Sequence, residues 1–128
     1  MAFVYQGQND CALVSIANYT GATYDEVVRV AITIARVSPE TIRYRGVTHN
    51  EITLILFGVT KKVWRECRPR RGQYKINGVI SWHHPNVKNG HMTACIDGHV
   101  FDTNGHVSTV EQYKLRHNFC IRKVWTDK

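Results

Sequence analysis

A cysteine, a histidine and an aspartate of this chain have the residue types and the chain order that thiol chemistry requires. Cys11 follows Asp10 at the start of an apolar segment, His91 begins the run HMTACI, and Asp102 lies in FDTN. In such a group the thiolate attacks a carbonyl carbon, the imidazole takes and returns a proton, and the carboxylate orients the imidazole. The three residues therefore predict a nucleophilic reaction at sulfur.

A short turn predicts that His91 and Asp102 lie close together. Asp97-Gly98 is a strong hairpin signal between two runs of β-prone residues. A two-residue loop would pair 96 with 99, 94 with 101, 93 with 102 and 91 with 104. His91 would then lie opposite Asn104 and diagonal to Asp102, so Asn104 is an alternative partner for the imidazole. A longer loop would shift the register and bring Asp102 closer.

The segment that carries Cys11 predicts a helix with the thiol at its N-terminus. Residues 11–19 are mostly apolar, and Asp10 before them is a residue type favoured at the N-cap. The positive end of the helix dipole favours a thiolate there. An oxyanion would need the backbone N–H of Cys11 and a side-chain amide just upstream, and Gln6 and Gln8 both qualify by type.

Further helices are expected through the first half of the chain. Thr23 and Thr48 each precede a glutamate by three residues, which is the spacing of a capping box. Ser38 precedes a proline, which is favoured at the first helical position. The helix after Thr48 is expected to run to about residue 57 and to end at Gly58.

The second half of the chain predicts short strands separated by Gly, Asn and Pro. The expected strands are 59–66, 78–83, 91–96, 99–103 and 119–125, with a helical turn near 109–114 capped by Ser108 and Glu111. Helices followed by strands predict an α+β domain with N-terminal helices packed on a C-terminal antiparallel β-sheet.

Two motifs resemble those of papain-like cysteine peptidases. QGQNDCALVSIANYTG, followed much later by GHMTACIDGHVFDTNG, is similar to the compact bacterial and phage members of the C39-like group. These proteins carry a glutamine before a DC helix start, then a GH strand and an Asp-containing turn. The resemblance implies a single papain-like domain over 1–128, with Cys11 as nucleophile, His91 as general base and acid, and Asp102 as the residue that orients His91. Asn104 is the substitute for that last role.

Two details depart from the family pattern. Gln6 and Gln8 both lie closer to the cysteine than the family's oxyanion glutamine usually does, and Gln6 is favoured because its spacing differs less. The glycine often found after the family's cysteine is Ala12 here. Neither change removes a chemical group that the reaction needs.

The resemblance implies hydrolysis of a protein or peptide substrate by a cysteine peptidase or isopeptidase, without a cofactor or a metal ion. One alternative is an NlpC/P60-like cell-wall amidase, which also begins a helix with Asp-Cys but usually continues with Ser-Gly, where this chain has Ala12-Leu13. Another is a non-catalytic papain-like binding protein of viral or phage origin that sequesters a host protein or a nucleic acid.

The positive charge is concentrated in one stretch. The formal net charge is +7, and residues 61–75 (KKVWRECRPRRGQYK) contain seven basic residues and one acidic residue. The stretch also contains Trp64 and Tyr74, and it predicts contact with an acidic partner or a nucleic acid. No nucleic-acid-binding motif accompanies it.

Length, apolar runs and cysteine spacing predict a cytoplasmic protein with no membrane partner. A chain of 128 residues suits one domain, and no apolar run approaches the roughly 20 residues of a membrane span. The four cysteines include no CxxC pair and are expected to be free thiols in a reducing compartment. The resemblance places that compartment in a bacterial or phage-infected host cell.

Overall fold

The fold was analysed in a computed structural model that describes residues 9–70, 72, 75–86 and 90–127. Within these residues the chain forms five helices and one six-stranded antiparallel sheet, so the α+β prediction is confirmed. The first four helices precede the first strand, and the fifth lies between the last two strands.

Helices in the first half of the chain begin where the sequence has capping residues. They are α1 (Cys11–Thr20), α2 (Tyr24–Thr33), α3 (Pro39–Arg45) and α4 (His49–Thr60). The side chains of Thr23, Ser38 and Thr48 each accept a hydrogen bond from the backbone N–H three residues later. Thr48 and Glu51 complete a reciprocal capping box, which satisfies two N–H groups that a helix start leaves without acceptors.

Gly58 does not end α4, contrary to the sequence prediction. The helix continues to Thr60, and Lys61 adopts the left-handed conformation at its C-cap. A Cβ at position 58 would clash with Val30 and touch Ile34 of α2. The glycine therefore allows α2 and α4 to approach closely, which is a tertiary requirement rather than a stop signal. The strand expected at 59–66 shortens accordingly to β1 (Arg65–Cys67).

The sheet has the strand order β1-β6-β2-β3-β4-β5. Its other strands are β2 (Gly78–His83), β3 (His91–Ile96), β4 (His99–Phe101), β5 (Val107–Thr109) and β6 (Cys120–Thr126). The last strand thus lies between β1 and β2. Helix α5 (Val110–His117) precedes it and is capped by Thr109 with Gln112, not by Ser108 with Glu111 as expected.

Two apolar clusters cover the two faces of the sheet. Val79 and Trp125 belong to a cluster with α1, α2 and α4, whereas their neighbours Ile80 and Val124 pack with α5. Because successive side chains of a strand point to opposite faces, the two clusters lie on opposite sides of the sheet. The N-terminal helices pack on one face, and α5 covers the other.

Among the described residues, no helix is both long enough and apolar enough to cross a membrane.

Candidate active site

Cys11 and His91 meet where α1 packs against β3. Cys11 is the first residue of α1 and is half-buried, and His91 is the first residue of β3. The two side chains line one cleft of about 640 Å³, and Cys11 lies close enough to His91 to raise the pKa of its imidazole. The residues that the sequence predicts as nucleophile and base are therefore brought together across the helix–sheet boundary.

Asp10 anchors the start of α1 in an unexpected way. It occupies the N-cap position, but its side chain makes no capping hydrogen bond. The Tyr24 hydroxyl of α2 donates instead to Asp10 Oδ2 at 2.6 Å, and burial together with this bond raises the pKa of Tyr24. The buried carboxylate thus ties the beginning of α1, next to Cys11, to the beginning of α2.

Asp102 holds the far side of the His91 ring. His91 Nε2 lies 2.8 Å from Asp102 Oδ1, and the two side chains are 24% and 8% exposed. The same carboxylate accepts the backbone N–H of Thr103 at 2.7 Å and the Tyr113 hydroxyl at 2.9 Å. With Nε2 directed at Asp102, Nδ1 is the ring nitrogen left for Cys11. The imidazole therefore bridges the thiol and the carboxylate.

The hydrogen bonds around His91 favour its charged form. Burial lowers the pKa of His91, but the hydrogen bonds with Asp102 and Cys11 outweigh burial and raise it to about 9. Burial alone would raise the pKa of Asp102, whereas the bonds from His91 and Tyr113 lower it. At neutral pH the pair is thus an imidazolium and a carboxylate, an arrangement that stabilises a neighbouring thiolate.

Asn104 does not face His91, and that part of the predicted register is wrong. The hairpin pairs Ile96 with His99 and residue 94 with Phe101, as predicted, but β4 ends at Phe101. The chain then turns, with the Asp102 N–H donating to the His106 carbonyl. Asn104 is exposed in this turn and accepts the His106 N–H at 3.0 Å.

One of the two groups expected to bind an oxyanion lies at the start of α1. As the first residue of α1, Cys11 has a backbone N–H without an intrahelical acceptor. Gln6 and Gln8, the side-chain donors proposed from the sequence, lie outside the described residues.

Two aromatic residues support the site and were not found from the sequence. Tyr113 of α5 is buried beneath Asp102, and the ring of Phe119 lies nearly parallel to that of His91, with centroids 6.4 Å apart. Val110 and Tyr113 have the spacing of a buried helix face. That spacing signals burial of the tyrosine, but it does not identify the carboxylate that the hydroxyl contacts.

The lining of the cleft also includes polar and basic residues. They include His49 of α4, Ser81 of β2 and Arg122 of β6, with Arg45 at the end of α3. His49 Nε2 lies 3.3 Å from Ser81 Oγ. Burial lowers the pKa of His49, and the charges of Lys123 and Arg122 lower it further. His49 is therefore a neutral imidazole at neutral pH.

The other cysteines are free thiols, as the sequence predicts, but they differ in exposure. Cys95 is buried, and burial raises the pKa of its thiol to about 12. Cys67 is half-buried. The apolar neighbours of Cys120 in the sequence indicate a buried position, but its side chain is exposed. Cys120 is the first residue of β6, where it pairs with His83 at the end of β2. It is a natural reference for the reactivity of Cys11.

The basic stretch lies apart from the residues that line the Cys11 cleft. Arg65, Arg68, Arg70 and Lys75 line a second depression of about 400 Å³ near β1 and β6. Residues 71, 73 and 74 lie outside the described part of the chain. An acidic partner or a nucleic acid at this surface stays a prediction.

In the part of the chain that the structure describes, no group of three or more His, Cys, Asp or Glu side chains is arranged to hold a metal ion. Comparisons of the chain with protein-family models, with curated proteins and with solved structures found no significant match.

Proposed function

We propose that this protein is a papain-like thiol hydrolase, a cysteine peptidase or isopeptidase that acts on a protein or peptide substrate. The observation that carries the proposal is the position of His91, which lines one cleft with Cys11 and is hydrogen-bonded to the buried Asp102. Nucleophile, base and orienting carboxylate are thus adjacent, and the first two line a substrate-sized cleft.

In the proposed reaction the Cys11 thiolate attacks the scissile carbonyl carbon and forms a C–S bond. The backbone N–H of Cys11 donates to the oxyanion, with Gln6 as the proposed second donor. The imidazolium of His91 then protonates the leaving amine as the C–N bond breaks, which leaves a thioester on Cys11. His91, now neutral, takes a proton from water, the resulting hydroxide attacks the thioester, and the acid product and the thiolate are released.

Asp102 contributes by holding the imidazole in one orientation and by stabilising its positive charge. It stays ionised throughout, because three donors surround its two oxygens. A cationic His91 next to Cys11 stabilises negative charge on the attacking sulfur.

Labelling with a thiol-reactive peptide electrophile tests the nucleophile. The label is expected on half-buried Cys11 in preference to exposed Cys120, because exposure alone would give the opposite order. Peptide mapping by mass spectrometry identifies the modified residue. Equal labelling of the two thiols, or labelling of Cys120 first, would contradict an activated Cys11.

Hydrolysis is tested with a peptide library and the variants Cys11→Ala and Cys120→Ala. Turnover is expected to fall by orders of magnitude in the first variant and to stay unchanged in the second. The melting temperature of Cys11→Ala should move by a few degrees at most, since the substitution removes a single sulfur atom from a half-buried side chain. Turnover that survives Cys11→Ala would show that Cys11 is not the nucleophile. A pull-down partner bound equally by that variant, without any turnover, would favour a binding protein instead.

A further inference from the structure

The cleft that contains Cys11 has two arginines in its lining. Among the described residues, its lining includes Arg45 and Arg122 but no aspartate or glutamate. Two of the other polar residues in the lining, His49 and Ser81, contact each other and are uncharged at neutral pH. The charge that the lining offers to a substrate therefore comes from its arginines and from His91.

The two arginines differ in their partners. Arg45 is held by both oxygens of Glu51, with Nη1 and Nη2 each 3.0 Å from one of them, so its charge is compensated. Arg122 is exposed, and its Nη2 lies 3.1 Å from Nδ1 of His83. Within the described part of the chain, Arg122 has no carboxylate partner, whereas the adjacent Lys123 pairs with Glu66 at 3.0 Å. Arg122 is the uncompensated cation of the cleft.

His83 also orients the guanidinium. An imidazole Nδ1 that faces an arginine acts as an acceptor, so the bond holds one edge of the Arg122 fork and leaves its other N–H groups available. The charge of Arg122 reaches another residue of the lining, since it contributes to the lowered pKa of His49. The remaining N–H groups of Arg122 could donate two parallel hydrogen bonds to a carboxylate in the cleft, which is the usual geometry of guanidinium–carboxylate pairs.

We propose that Arg122 forms a subsite for a substrate carboxylate close to the scissile bond. The inference rests on the proposed hydrolase function and adds the substrate class, a peptide with an acidic side chain or a free C-terminal carboxylate at the cleavage site. Arg122 is a specificity residue and takes no part in proton transfer.

Alkylation of Cys11 with two small probes tests the subsite without requiring turnover. Iodoacetate carries a carboxylate and iodoacetamide is neutral, while both transfer their carbon to the same sulfur. In Arg122→Gln the ratio of the iodoacetate rate to the iodoacetamide rate is expected to fall about two- to fivefold, the range for a solvent-accessible ion pair. Arg29→Gln, which removes an exposed charge on α2 away from the cleft lining, should leave the ratio unchanged.

Wild type and Arg122→Gln should differ less in the ratio of the iodoacetate rate to the iodoacetamide rate at high salt, because screening weakens exposed charge pairs. Arg122→Lys keeps the charge and should retain most of the ratio, which separates the electrostatic effect from any loss of packing. A ratio that is the same in wild type and in Arg122→Gln would overturn the subsite, even if Cys11 proves to be an activated nucleophile.

Peptide substrates distinguish the two sources of the carboxylate. Matched peptides carry Glu or Gln beside the cleaved bond, each with a free or an amidated C-terminus, and kcat/KM is compared between wild type and Arg122→Gln. If wild type prefers Glu over Gln and Arg122→Gln does not, the subsite binds an acidic side chain. If wild type prefers the free C-terminus and Arg122→Gln does not, the subsite binds the terminal carboxylate. Turnover by Cys11 with neither preference would leave the hydrolase proposal standing and reject the subsite.

Discussion

At the scale of single residues, the site depends on how completely Asp102 is surrounded. The carboxylate is buried and receives hydrogen bonds from His91, Tyr113 and the Thr103 backbone. A buried anion is stable only when its oxygens are satisfied in this way. These contacts predict how strongly each residue affects His91. Asp102 has the largest effect because it contacts the imidazole, Tyr113 acts through Asp102, and Asn104 has no direct effect.

Asp102→Asn and Asn104→Ala are expected to differ sharply. The first change removes the charge that raises the pKa of His91, so this pKa should fall and alkylation of Cys11 near neutral pH should slow by about tenfold or more. The second removes one acceptor for the His106 N–H in an exposed turn, at a cost of about 0.5–1.5 kcal/mol in unfolding free energy.

Alkylation rates of Cys11 measured between pH 5 and 9 test the effect of each variant on the site. Urea denaturation measures the change in unfolding free energy. If Asn104→Ala slowed alkylation more than Asp102→Asn, the orienting residue would have to be Asn104.

Tyr113→Phe isolates the positioning role of the tyrosine. Loss of its hydroxyl leaves Asp102 Oδ2 without this donor, so the pKa of Asp102 should rise. A hydrogen bond to a charged group contributes about 1.5–3 kcal/mol, which corresponds to about one to two pH units. Protonation of Asp102 removes the charge that keeps His91 cationic beside Cys11, so the acidic limb of the pH profile of Cys11 alkylation should move to higher pH.

Tyr19→Phe is the matched control for this experiment. Tyr19 also donates to an aspartate, Asp127, at 3.2 Å, but that pair does not contact His91. The control should destabilise the fold slightly and leave the acidic limb in place. An unshifted limb in Tyr113→Phe would mean that the tyrosine serves packing alone.

At the scale of helices and strands, Gly58 shows how tertiary contact overrides a local signal. Replacing an exposed helical glycine with alanine usually raises the free energy of unfolding by about 0.5–1 kcal/mol. Here the added Cβ would clash with Val30 of α2, so Gly58→Ala is expected to destabilise the protein by about 1–3 kcal/mol. Urea denaturation gives the value.

Val30→Ala removes the Cγ1 atom with which the new methyl group would clash and leaves only the looser contact with Ile34. In the double variant the cost of Gly58→Ala should therefore shrink or change sign, and a double-mutant cycle measures that coupling. Strict additivity of the two changes would show that close packing of α2 and α4 is not the reason for the glycine.

Local chemistry explains which elements the sequence could predict. Thr48 with Glu51 and Asp97-Gly98 act within a few residues, so the start of α4 and the β3–β4 register were predictable. The same holds for the pairing of His91 with Asp102, since one hairpin brings them together. The tie between Asp10 and Tyr24, the insertion of β6 between β1 and β2, and the contact of Tyr113 with Asp102 depend on distant segments. No local pattern specifies such contacts.

At the scale of the whole molecule, the candidate site joins segments that are far apart in the chain. Cys11 comes from the first helix, His91 from the middle of the sheet, and Tyr113 from the helix on the opposite face. The site therefore requires both apolar clusters to be formed, so its electrostatics should report on global folding. Titration of His91 should consequently appear in the stability of the whole protein.

The pH dependence of unfolding tests this coupling. The pKa of His91 is about 9 in the folded protein and near 6.5 in an unfolded chain. A raised folded pKa means that the stabilisation is fully present below about pH 6.5 and is lost as pH rises through about 9. We expect wild type to exceed His91→Gln in unfolding free energy by about 1–3 kcal/mol more at pH 6 than at pH 9.5. Because the two proteins share the titrating groups outside the site, the difference between their urea denaturation curves reports on His91 together with the Cys11 and Asp102 side chains that interact with it. A difference that stays constant across this range would show that His91 is not held as an imidazolium by Asp102 and Cys11, and the thiolate–imidazolium pair at the centre of the proposed reaction would have to be abandoned.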